Sequence, residues 1–244
     1  MMYLSVKQLL LRAESLIDKF EQGGGINCID EAIVLDREAL ELCPPGHPKR
    51  ADSLTQLGSD LRHRYEQLGG MMDLEEAILL NRDALVLRPP GHPDRDIFLT
   101  NLALGLATRY NKFGGIDDLN EAILLDRDAL ALCPPGHPDL STSLNNLASR
   151  LFTRYKRFGG MEDLNEAILL DRDALALRPP GHPARSMSLN NLANYLSTRY
   201  GQLGAIEDLN EAILLARDAL ALRPLGHPAR ATSLNSLANR LSTR

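Results

Sequence analysis

The chain has no tryptophan, and aromatic residues fill only 5% of its 244 positions. Its apolar share of 44% is carried instead by leucine and alanine, which suits close-packed helices better than sheets. A cationic surplus is also missing. Lys and Arg total 27 against 32 Asp and Glu, for a net charge of -5, so nothing draws the chain toward nucleic-acid phosphate. The two signs are interleaved, as on a solvated face. Cysteine is scarce: Cys28, Cys43 and Cys133 form neither a paired framework nor a C-x-x-C motif. Cys43 and Cys133 share a repeat position with Arg88, Arg178 and Arg223, which predicts a partly exposed position and free thiols. Long apolar runs are absent too. The opening stretch, Met1 to Leu11, is broken by Lys7, is followed by Arg12, and has no small-residue cleavage pattern. It reads as an amphipathic first helix of a soluble, cytoplasmic protein rather than a leader or a membrane span. No G-x-x-x-x-G-K, G-x-G-x-x-G, H-E-x-x-H or G-x-S-x-G pattern occurs. The reading is therefore non-enzymatic, with no cofactor, metal or catalytic residue called for.

What the chain does have is a period. Gly-His-Pro stands at Gly46, Gly91, Gly136, Gly181 and Gly226, each 45 residues after the last. Self-similarity at a period of 20–50 residues marks a repeat array. The unit from Pro138 to His182 shows the template. Leu144, Leu147, Ala148, Leu151, Tyr155 and Phe158 follow helical spacing and predict a helix A of about 20 residues, about 30 Å long. Pro138 suits its first position, Arg154 and Arg157 its last turns, and Gly159-Gly160 a left-handed cap. Helix B follows, with Asp163 and Glu166 as a capping-box-like pair and Leu164, Ala167, Ile168, Ala174 and Leu175 facing inward. Arg178-Pro179-Pro180 ends it. So short a link makes the two helices antiparallel neighbours, and hairpins this small need each other to bury their faces. The whole chain, 1–244, reads as one array: repeats at about 3–47, 48–92, 93–137, 138–182 and 183–227, then a sixth begun at 228 and broken off at 244, as in a fragment of a longer array.

Leu144-x-x-Leu147-Ala148, with Ala167, Ala174 and Pro179, resembles the tetratricopeptide repeat (TPR), in particular the long repeats of kinesin light chain. The Asp-Leu-x-Glu-Ala-Ile and Pro-Pro-Gly-His-Pro text is similar to TPR arrays that accompany CHAT (caspase-like) domains; nothing here resembles that peptidase domain itself. The resemblance implies an all-α, right-handed superhelix of antiparallel helix pairs with a concave groove lined by helix A. The departure is length: Ala148 to Ala167 spans 19 residues where the ordinary repeat has 12, and Tyr155 and Phe158 imply a packed extension of helix A.

The five Gly-His-Pro histidines cannot converge on a metal, since equivalent residues lie two packed helices apart; they read as turn formers. His63 reads as a polar groove residue. The Asp-Arg-Asp text recurs in every unit, as at Asp126 and Asp171, and reads as solvated or inter-helix ion-pair positions. On the groove face implied by the family, the candidates are Asn101, Asn145, Asn146 and Asn190, with Asn191, Asn194, Asn235 and Asn239. An Asn amide both donates and accepts, so a ladder of them can bond a peptide backbone; the alternative is bonding between neighbouring helices. The family's clamp for carboxylate-terminal chaperone tails needs cations at columns here filled by residues such as Asp52, Thr142, Met187, Thr55, Gln56 and Asn146, none Lys or Arg, which argues against that ligand. Ile97, Leu104, Phe152 and Met187 offer apolar pockets or packing between A helices.

The function expected is a protein-interaction scaffold holding a peptide segment or partner domain, with no role for nucleic acid or membrane. The alternative is an architectural or oligomerising array that positions a separate, possibly CHAT-type, effector domain and self-associates through Leu234, Leu237 and Leu241.

Overall fold

Eleven helices and no strand are found among the residues that the computed structural model describes, 4–242. The start of the first repeat at Tyr3 and the end of the sixth at Arg244 lie outside them. The chain forms two compact units, divided after Leu132. The first holds α1 (Val6–Glu21), α2 (Asn27–Glu41), α3 (Arg50–Leu68), α4 (Met71–Val86), α5 (Arg95–Phe113) and α6 (Ile116–Ala131). The second holds α7 (Leu140–Phe158), α8 (Met161–Ala176), α9 (Arg185–Leu203), α10 (Ile206–Ala221) and α11 (Arg230–Ser242). Odd-numbered helices are the A members and even-numbered ones the B members. Within each unit a helix packs most heavily on its hairpin partner, then on the next hairpin, with lighter contact between successive A helices. No described helix is long and apolar enough to cross a membrane.

The Pro-Pro-Gly-His text makes the hairpin-to-hairpin turn for a specific reason. The Pro44 carbonyl accepts the His47 N–H at 2.9 Å, and Gly46 sits at φ 89°. This is a turn with Pro at its second place and a residue of positive φ at its third, which favours glycine there. His47 Nδ1 then accepts the N–H of Lys49 at 3.1 Å, just ahead of α3. His92, His137, His182 and His227 do the same two residues on, at 3.1–3.2 Å. The histidines are turn formers, as their spacing implies. Gly181 has φ 91°, so Gly181→Ala is expected to cost about 1 kcal/mol, visible as a fall of a few degrees in melting temperature.

Helix ends follow the sequence less closely. Gly69, Gly114 and Gly204 cap their helices in the left-handed region, while Gly159 has positive φ but an extended ψ of -150°. Pro138 is not in the first helical position; α7 begins two residues later, after the Asp139 cap position. Nor does Asp163 cap α8. That helix starts at Met161 behind Gly160, and Asp163 is claimed by Arg154, whose Nε and Nη2 both reach its carboxylate at 2.7 Å. Arg64–Asp73, Arg109–Asp118 and Arg199–Asp208 repeat this two-pronged bond at 2.7–2.8 Å. A carboxylate held by a planar guanidinium fork outcompetes a cap. Several of these arginines also reach back to the preceding B helix, Arg64 to Asp30, Arg109 to Glu75 and Arg199 to Asn165.

The core is small residues meshed with leucine and isoleucine, such as Ala13, Ile17, Ile29, Ala32, Leu57 and Leu61 in the first unit. Tyr155 is buried at the end of its long A helix, but Phe158 is 59% exposed, so the extension packs through its tyrosine alone. The Cys/Arg position is not exposed either. Cys43 is fully buried against Ser53, and Arg178 is 2% exposed with its guanidinium on Ser188 Oγ and the Ser141 carbonyl. Cys43, Cys133, Arg178 and Arg223 each meet the serine ten residues on, whereas Arg88 lies over the ring of Phe98 at the corresponding place. Cys28, Cys43 and Cys133 are not joined in disulfides.

The first residue of the Asp-Arg-Asp text is also buried rather than solvated. Asp36, Asn81, Asp126 and Asp171 are at most 3% exposed. The central arginines do form inter-helix pairs, Arg37–Glu76, Arg82–Glu121 and Arg172–Glu211, at 2.6–2.8 Å. In the first unit buried Asp36 on α2 meets buried Asp60 on α3. Burial raises both, the Asp60 charge adds to it at Asp36, and the hydrogen bond from Asp36 opposes it at Asp60; the pair titrates with values of about 9 and about 6 rather than near 4. At neutral pH the two carboxyls share a proton.

Candidate peptide-binding cleft

The site grows from one position on helix B and the A-helix residues that face it. In the second unit Asp171 of α8 is fully buried, and Asn145 of α7 donates its amide to it at 2.7 Å. Burial raises the Asp171 carboxyl to about 6, opposed by that hydrogen bond and by the Arg178 charge. The amide of Asn145 is therefore structural: 6% exposed, it does not face a groove. Phe152 is likewise packing, not a pocket: it is buried against Tyr195 of α9, ring centroids 4.4 Å apart. Burial and the Asp171 charge push the Tyr195 phenol up.

One repeat later the arrangement changes because Ala216 stands where Asp171 stood. Asn190, the counterpart of Asn145, has no carboxylate to meet. It donates to the Ser186 carbonyl of its own helix at 2.9 Å and is half-buried. Beside it Asn191 is half-buried and Asn194 exposed. These three asparagines line a cleft of about 340 Å³ between α9 and α11, together with Met187 and Ser236. An adjoining cleft of about 200 Å³ shares Asn194 and Ser236 and is lined by Tyr200 and Asn239. Of the sequence candidates, Asn190, Asn191, Asn194 and Asn239 are thus brought together. Asn235 is exposed but outside both clefts; Asn101 and Asn146 are half-buried elsewhere, and Asn145 is withdrawn. His63 is half-buried against Arg62, with burial lowering its pKa.

The clefts also hold cations that the clamp columns do not contain. Arg223, at the end of α10, lines the larger cleft, and Arg240 of α11 lines both. Arg240 is 7% exposed; its Nε donates to Ser197 Oγ at 2.7 Å. Arg223 donates to Ser233 Oγ and to the Ala229 carbonyl. The cleft on helix A is therefore polar and positive, with both donors and acceptors, and an apolar foot in Met187.

No family model matches the chain, and no curated protein matches it in sequence. Solved structures do. A putative kinesin light chain from Podosopora anserina with nearly identical TPR-like repeats is similar over 87% of this chain and 97% of its own, at 20% identity and a TM-score of 0.60. BtubC (BKLC) from P. vanneervenii is similar over 88% of each chain, at 18% identity and a TM-score of 0.57. YrrB, described as a TPR protein with an unusual peptide-binding site, is similar over 89% of this chain and 91% of its own, at 16% identity and a TM-score of 0.54. With helix pairs in strict succession and this set of neighbours, the chain has the fold of a tetratricopeptide-repeat array.

Proposed function

We propose that the chain is a non-enzymatic protein-interaction scaffold that holds an extended segment of a partner protein in the α9–α11 cleft. The observation that carries this reading is the release of Asn190 from its structural bond, which leaves Asn190, Asn191 and Asn194 along one open cleft. Asn191 and Asn194 lie three residues apart on one helix face. Their amides can pair with the N–H and C=O of a strand-like backbone without dictating its sequence. The similar fold of a protein described as having a peptide-binding site agrees with this.

The test is nuclear magnetic resonance of the 244-residue chain with a pool of acetylated, amidated decapeptides. Side-chain amide signals of Asn191 and Asn194 are expected to move on binding. The double variant Asn191→Ala/Asn194→Ala is expected to weaken affinity about tenfold, or about 1.4 kcal/mol. Asn145→Ala should lower stability and leave affinity unchanged. Equal binding by the double variant, or shifts confined to other faces, would exclude this cleft as the site.

A further inference from the structure

Resting on that reading, we infer that the α9–α11 cleft is selective for a segment bearing a side-chain carboxylate, an Asp or Glu of the partner, which is met by Arg240 and Arg223. The two arginines are exceptional because their acids are missing. Arg88, at the same repeat position as Arg223, pairs with Asp52 at 2.6 Å; the residue equivalent to Asp52 in the last hairpin is Met187. Arg178, also at that position, feels the charge of Asp171; its equivalent for Arg223 is Ala216. Arg240 occupies the position of Tyr195, which likewise feels Asp171, so Ala216 removes that acid as well. Two substitutions, at 187 and 216, thus leave both guanidinium groups without a carboxylate partner among the described residues.

The consequence shows in the bonding. Arg240 is 7% exposed, yet among the described residues Nη1 has no partner and the group makes a single hydrogen bond, to a neutral serine hydroxyl. Arg223 is 91% buried with its Nε unpartnered. A buried cation lacking a counter-charge is unfavourable, and no acidic side chain lines either cleft. Burial alone pulls the Arg240 pKa down, with no carboxylate opposing it. An anion entering the cleft would supply the missing charge from outside. A carboxylate is the anion proposed because its two planar oxygens match the edge of one guanidinium, while Ser197, Ser233 and Ala229 accept from other N–H groups of the pair. The neighbouring asparagines then bond the backbone on either side.

The experiment compares decapeptide pools, acetylated and amidated, with a fixed central Glu, Gln or phosphoserine. The Glu pool is expected to bind the whole chain at least about tenfold more tightly than the Gln pool, and to displace the Arg240 Nε–H resonance. The preference is expected to weaken with salt. Arg240→Gln should abolish it. Ala216→Asp, which restores the internal acid found at Asp126 and Asp171, should abolish it too while raising the melting temperature. Equal binding of Glu and Gln pools overturns the carboxylate assignment and leaves the peptide cleft standing. A preference that survives Ala216→Asp, or a stronger one for phosphoserine, overturns it as well. If neither pool binds, glutarate alone decides. A displaced Arg240 signal in the parent chain but not in Ala216→Asp upholds the carboxylate site and sinks only the peptide reading; no displacement sinks both.

Discussion

Asp36→Asn is expected to stabilise the first unit, and by more the higher the pH. Asp36 and Asp60 are buried together, and their folded-state pKa values, about 9 and about 6, lie above the unfolded value near 4. A carboxyl raised in the folded state contributes stability that is fully present below the unfolded value. That stability is lost as pH rises through the folded ones. From pH 4 upward the unfolded chain releases both protons before the folded chain does, so the native pair becomes a growing liability up to about pH 9. An amide at 36 donates to Asp60 without titrating, and Asn81 already fills the equivalent position in the next hairpin. The gain should be near zero at pH 4 and on the order of 2 kcal/mol at pH 8, several degrees in melting temperature. Thermal unfolding of both chains between pH 4 and 9 measures it; a difference independent of pH would mean that the pair does not share a proton.

The second large effect is a loss. Arg178→Ala is expected to destabilise the second unit by about 2–4 kcal/mol. The side chain is 2% exposed and satisfies Ser188 Oγ, Ser141 Oγ and the Ser141 carbonyl. Its removal leaves these groups unpaired beside a cavity. It also takes away the cation that helps hold Asp171 down. The Asp171 carboxyl then rises further, so the variant's deficit should be larger at pH 8, where that group must ionise, than at pH 5. Denaturant unfolding at the two values tests this, and a deficit below about 0.5 kcal/mol at both would remove Arg178 from the core.

The period, the helix pairs and the glycine caps were legible in the chain because they depend on local chemistry: a positive φ at Gly46 or Gly69, a proline, a run of leucines. The errors share one cause. Asp163 reads as a cap, Asn145 as a groove residue and Cys43 as half-exposed when each is considered along its own helix. Each is decided by a side chain from elsewhere: Arg154 takes Asp163, Asp171 takes Asn145, and Ser53 covers Cys43. Phe158 reads as packed for the opposite reason, since helical spacing continues past the point where a neighbour remains to cover it. The cations of the cleft are not legible from the residues that fill the clamp columns, because they come from other positions. The informative residues were the absent acids at Met187 and Ala216, whose meaning appears only once Asp52 is seen with Arg88 and Asp171 near Arg178.

The forked Arg–Asp bond has a consequence for how such a chain changes over time. Four of the five complete hairpins carry both halves of the clasp, Arg154 and Asp163 in one case, nine residues apart in the same forty-five-residue stretch; the first has Lys19 and Cys28 in their places. The arm that reaches backward needs only an oxygen, and Asp30, Glu75 and Asn165 all serve. A duplicated stretch therefore arrives with its own fastening and finds an acceptor in whatever precedes it. Copy number can drift by tandem duplication and deletion without any coordinated second mutation, and single copies are left free to diverge into binding sites.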